Sequence, residues 1–117
     1  MLNITSFKSF KIIITLIISL LLPISANASV AEGKKIAFDR KKGNCLACHM
    51  ASDGKLPGNV GPPLIAMKAR FPNKEDLLKQ IYDARIANPH TIMPPFGAHE
   101  ILTKDEVSKI TDFIYSL

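Results

Sequence analysis

Only two cysteines, Cys45 and Cys48, occur in the 117 residues. That rules out a framework of several disulfides and leaves no third thiol to serve as a nucleophile. No grouping of serine, histidine and carboxylate stands out, nor does a carboxylate pair, so the chain offers no evident catalytic set. No segment alternates convincingly as a strand. There is no internal repeat, no low-complexity segment and no inter-domain linker, which leaves one domain at most. The longest apolar stretch, Ile12 to Leu22, has 11 residues. A membrane-spanning helix needs about 20.

The amino terminus is organised for export. Lys8 and Lys11 precede the apolar stretch, Pro23 ends it, and Ala26-Asn27-Ala28 supplies small residues around one spacer. This order reads as a secretory signal peptide over 1–28, cut after about Ala28, with the working domain at 29–117 in the periplasm. An uncleaved anchor is the competing reading. No cysteine follows the expected cut, which argues against a lipid anchor there. Cleavage leaves 89 residues and, with Lys8 and Lys11 gone, lowers the formal net charge from +5 to +3. So small an excess is a weak argument for nucleic acid or an anionic membrane as partner. A domain of this size has a thin core and often needs a disulfide, metal or cofactor to fold.

The mature part reads as all-α. Residues 31–42 carry Ile36, Ala37 and Phe38 on one side and charges on the other, with Gly43 and Asn44 as punctuation. Leu64 to Arg70 is short and stops before Pro72. Asn73 caps a helix expected to run to about Ile86 through Leu77, Leu78 and Ile81. Thr103 to Glu106 forms a capping box ahead of a last helix ending at Leu117, with Val107, Ile110, Phe113 and Ile114 inward. Between them, 50–63 and 87–99 are loops rich in proline and glycine. Long loops normally count against an assignment; a large flat cofactor beneath them removes the objection.

That cofactor is indicated by Cys45-Leu46-Ala47-Cys48-His49, a C-x-x-C-H motif, the spacing for covalent haem c attachment. Each thiol adds to one vinyl group on the same edge of the ring. His49 then faces the iron from the same side. A disulfide or thioredoxin-like pair competes, but that redox pair requires a βαβ setting. Zinc competes too, through Cys45, Cys48, His49 and either His90 or His99; adjacent Cys48 and His49 make awkward joint ligands, and no second paired motif exists.

A low-spin electron-transfer haem takes a second axial ligand. Met50 is beside the motif on the wrong side of the ring, and Met67 sits in an expected helix. Met93, in the proline-stiffened run Ile92-Met93-Pro94-Pro95-Phe96-Gly97, is the preferred candidate. A packing methionine, with His90, His99 or an open position at the iron, is its alternative. The Pro62 carbonyl in Gly61-Pro62-Pro63-Leu64 is a candidate acceptor for the other N–H of His49. Lys34, Lys35, Arg40, Lys41 and Lys42 could steer an acidic partner. The preferred reading is a solvated helix face whose last turn favours cations.

These parts resemble the class I cytochromes c: a first helix, C-x-x-C-H, a G-P-x-L-like segment, a distal methionine loop and a last helix crossing the first. The resemblance implies contact of Gly33, Ala37 or Phe38 with Phe113, Ile114 or Leu117. Gly43 to His49, Gly61 to Leu64, Asn88-Pro89, Met93 to Gly97, Ile101-Leu102-Thr103 and Glu106 together are similar to the SoxX family, the single-haem subunits of bacterial SoxAX complexes. That resemblance implies one covalent haem on Cys45 and Cys48, with His49 and Met93 as axial ligands. It also implies a SoxA-like cytochrome as heterodimer partner, a SoxYZ-like carrier reached through the complex, and a downstream cytochrome c as electron acceptor. The reaction implied is oxidative attachment of thiosulfate to a carrier cysteine, with this chain passing on electrons rather than holding the catalytic site. A freely diffusing periplasmic carrier is the alternative function.

Overall fold

The computed structural model describes residues 24–117. Most of the expected signal peptide therefore lies outside the described residues. Among the described residues there are four α-helices, α1 (Ile24–Phe38), α2 (Met67–Arg70), α3 (Lys74–Tyr82) and α4 (Lys104–Tyr115). Two 3-10 turns, Cys45–Ala47 and Ala84–Ile86, complete the regular structure, and no strand occurs among the described residues. The described residues form an all-α fold, as the sequence indicates.

The first and last helices cross because a glycine lets them touch. A Cβ placed on Gly33 would lie 1.9 Å from the Lys109 carbonyl oxygen. The contact falls on Lys109 and Ile110, about one turn before the expected Phe113 to Leu117. The other expected contact forms: Phe38 meets Phe113 edge-on, centroids 5.5 Å apart and planes at 87°. Such a pair adds about 0.5–1.5 kcal/mol beyond its buried area. Ala37, Val107, Ile110 and Ile114 are buried around the crossing. Thr111 is buried too, its hydroxyl donating to the Val107 carbonyl at 2.7 Å. Asp112 ties three helices, accepting from the Ser29 hydroxyl at 2.6 Å and from Lys74 at 2.5 Å.

Helix ends depart from the periodic reading where a side chain offers the backbone another partner. α1 stops at Phe38 rather than Lys42. The Asp39 carboxylate accepts from the Lys41 amide at 2.8 Å, and its carbonyl accepts from the amides of Lys42 and Asn44. α3 stops at Tyr82 rather than Ile86 because Asp83 is extended (φ −154°, ψ 92°) and its carboxylate accepts from the Arg85 amide. α2 starts at Met67, with Ala66 left-handed before it (φ 50°, ψ 40°). The α4 capping box forms as read: Thr103 Oγ1 accepts from the Glu106 amide, and Glu106 accepts from the Thr103 amide.

Candidate functional site

The C-x-x-C-H segment is shaped by short-range bonds. Asn44 takes the left-handed conformation (φ 48°), which asparagine tolerates better than most residues. The Cys45–Ala47 turn follows, and the Cys45 carbonyl accepts from the amides of Cys48 (3.2 Å) and His49 (2.9 Å). This turn brings both cysteines and His49 to one wall.

A second segment runs alongside. Gly58, Gly61 and Leu64 donate their amides to the carbonyls of Leu46, Cys48 and Met50, each at 2.7 Å. The register sets the Pro62 carbonyl 2.7 Å from His49 Nδ1. A carbonyl only accepts, so the ring proton sits on Nδ1 and Nε2 keeps its lone pair. That is the tautomer a metal-bound histidine requires. Gly61 permits this approach, since a Cβ there would lie 2.4 Å from the imidazole Cε1. Arg70 Nη1 donates to the next carbonyl, that of Pro63, at 2.7 Å and holds the turn from outside.

The loop 87–102 supplies further lining residues to the cavity beside this wall. Met93 is half-buried, and its amide donates to Thr91 Oγ1 at 3.1 Å. The cavity measures about 550 Å³. Cys45, Cys48, His49 and Met93 all line it, with Leu64, Met67, Leu77, Ile81, Phe96, Ile110 and Ile114 among its apolar surfaces. Arg40, Lys41, Lys42 and Arg70 also line it, and no acidic residue does. The other candidates are elsewhere. Met50 is exposed on the outer side. His90 is exposed in its turn, and His99 accepts from Arg85 Nη1 at 3.2 Å. Neither histidine lines the cavity. Met67 lines it but is 2% exposed, with its sulfur 3.5 Å from Arg70 Nη1, as a packing residue in α2.

Haem suits this donor set and zinc does not. Among the described residues, no three His, Cys, Asp or Glu side chains converge as a metal site. Both cysteines are free. Burial pushes the Cys45 thiol up to about 11, so it is held as the neutral thiol rather than a reactive thiolate. Haem would be held through Cys45 and Cys48, with His49 Nε2 and the Met93 sulfur as the iron donors this cavity offers.

Residues 28–114 match the family described as cytochrome c oxidase, cbb3-type, subunit III. The chain belongs to this family and is a c-type cytochrome. An uncharacterized lipoprotein of Aquifex aeolicus (strain VF5) is 32% identical over 76 residues, 64% of this chain and 37% of the relative. The cytochrome thus spans well under half the length of that relative. As a c-type cytochrome it carries covalent haem and transfers electrons; the haem, when bound, supplies the one-electron redox chemistry. The protein's own Cys45, Cys48 and His49 would hold it, and the Pro62 carbonyl fixes the proton on His49 Nδ1.

Sequence reasoning missed three contributors to the cytochrome site: Gly58, Arg70 and Tyr82. Gly58 was visible only as loop composition, although a Cβ there would lie 2.1 Å from the Ala47 carbonyl oxygen. Arg70 enters the sequence reading only as the end of the short segment from Leu64. Tyr82 looked like one more helical residue, yet its carbonyl accepts from the amides of Gly97 and Ala98 at 3.0 and 3.1 Å.

Proposed function

We propose that this cytochrome is the exported, single-haem electron outlet of a SoxAX-type complex, with His49 and Met93 as axial ligands. The observation that carries this reading is the distal wall. Asn88-Pro89, Met93-Pro94-Pro95-Phe96-Gly97 and Ile101-Leu102-Thr103 belong to one continuous loop, and its Met93 lines the same cavity as His49, which supports the reading. These are the segments that resemble SoxX beyond the shared C-x-x-C-H motif. In that role the oxidative joining of thiosulfate to a carrier cysteine occurs at a SoxA-like partner and releases two electrons. This chain takes them one at a time and passes each to a downstream cytochrome c. Its lack of a third cysteine fits such a division of labour. The basic-start, apolar and A-x-A order over 1–28 supports delivery to the periplasm, and the Aquifex relative is itself named a lipoprotein.

The test is recovery of the tagged, haem-loaded protein from its native periplasm, followed by mass spectrometry of what accompanies it. A tightly held second c-type cytochrome with a cysteine-ligated haem is expected. A lone monomer on gel filtration would replace this reading with a freely diffusing carrier.

A further inference from the structure

The methionine loop is fastened at both ends to the same four residues. The last carbonyls of any helix lack intrahelical partners. At the end of α3, the Tyr82 carbonyl is used by the loop's outgoing arm, accepting from Gly97 and Ala98. Gly97 packs against the Tyr82 ring, where a Cβ would come within 2.0 Å of Cδ2 and 2.8 Å of Cγ. These are atoms at the base of the ring, which cannot swing clear as a chain end could. The incoming arm is held two residues on: the Ala84 carbonyl accepts from the Asn88 amide at 3.0 Å. Between them Arg85 is gripped by both oxygens of Asp83, at 2.8 Å each, and donates to His99 Nε2. Met93 sits midway between the arms, with Thr91 beneath its amide.

We propose that Tyr82 to Arg85 act as a latch that closes the Met93 loop onto the cavity, with Gly97 and Arg85 as positioning residues for the methionine. This rests on the reading of Met93 as axial ligand. None of Tyr82 to Arg85 lines the cavity, so releasing the latch should loosen the methionine and leave His49 as it was.

The test uses the haem-loaded full chain in the Gly97→Ala, Arg85→Gln and Met93→Ala forms. Three readouts apply: the long-wavelength absorption of methionine-ligated ferric haem, affinity for added imidazole, and hydrogen exchange at the Gly97 and Ala98 amides. Gly97→Ala should weaken the absorption and raise imidazole affinity about tenfold, as expected for losing one or two hydrogen bonds that hold the loop. Arg85→Gln, which breaks an exposed bridge, should raise it about twofold to fivefold. Tyr82→Ala combined with Gly97→Ala makes room for the methyl group and should restore the parent values in part. Wild-type absorption and imidazole affinity in Gly97→Ala would overturn the latch while leaving the ligand assignment standing. No change in Met93→Ala would overturn the assignment, and the latch with it. Should Gly97→Ala fail to take up haem, Arg85→Gln decides: unchanged exchange at Gly97 and Ala98 overturns the proposal.

Discussion

His49 Nδ1 lies 2.7 Å from the Pro62 carbonyl oxygen, and the glycine before that proline has no room for a methyl group. Gly61→Ala should push the 61–64 turn away from the imidazole and remove the bond that fixes its tautomer. Overpacking of this kind costs about 1–3 kcal/mol. Covalent haem yield should fall, and the holoprotein that forms should have a shifted reduction potential. An unchanged yield, potential and melting temperature would mean that the turn moves freely and does not orient His49.

Replacing both Cys45 and Cys48 by serine should leave no covalent haem and a poorly ordered chain. Leu77 and Ile81 of α3 and Ile110 and Ile114 of α4 all line the cavity of about 550 Å³, and without the cofactor those side chains lose a partner. Circular dichroism during thermal unfolding reads this directly; a normal cooperative transition would contradict it.

Met93→Ala should keep the thioether bonds, because those are made by Cys45 and Cys48. It should lower the reduction potential or turn the iron high-spin, since the methionine sulfur favours the reduced state. Redox titration with absorption spectroscopy distinguishes these outcomes from an unaltered centre, which would place the second ligand elsewhere.

Gly33→Ala tests the helix crossing apart from the haem. The added methyl group would meet the Lys109 carbonyl, part of a helix backbone that cannot yield locally. A loss of about 2–3 kcal/mol is expected. For a domain of this length that lowers Tm by about 10–20 °C. Differential scanning calorimetry on the holoprotein measures it.

Glu106 sets an acid limit. The Lys42 ammonium, then the Thr103 amide, hold its carboxyl below the usual glutamate range. The native state therefore releases this proton more readily than the unfolded chain does. The resulting stability is complete above the ordinary glutamate range and is lost as pH falls through the depressed native value. Glu106→Gln should lower stability at neutral pH and flatten its decline toward about pH 3. Urea unfolding across that range checks the sign; an unaltered slope would exclude Glu106 as a contributor.

The sequence made the fold class and the cavity's two walls legible for different reasons. C-x-x-C-H carries its chemistry in five adjacent residues, and α4 announces itself through a capping box and an inward stripe. Helix ends were harder to read, because Asp39 and Asp83 end α1 and α3 by accepting amides two residues on, a choice that hydrophobic periodicity does not register. The crossing point was displaced for a similar reason: three apolar candidates on each helix fit equally well, and only the bare backbone at Gly33 decides where the axes meet. Arg70 and Tyr82 were invisible because each acts through contacts with carbonyls or amides of distant segments, which leave no signature in residue type.

The three backbone bonds from Gly58, Gly61 and Leu64 to Leu46, Cys48 and Met50 close within a span of 19 residues. So short a loop costs little entropy to form. The distal wall, by contrast, depends on α3 and on a loop folded back across it. The two walls therefore differ in when they can be built. A newly exported chain can shape the thiol-bearing cup first, receive haem through the open face, and shut the methionine side last, so that the side reached during maturation becomes the side sealed in service.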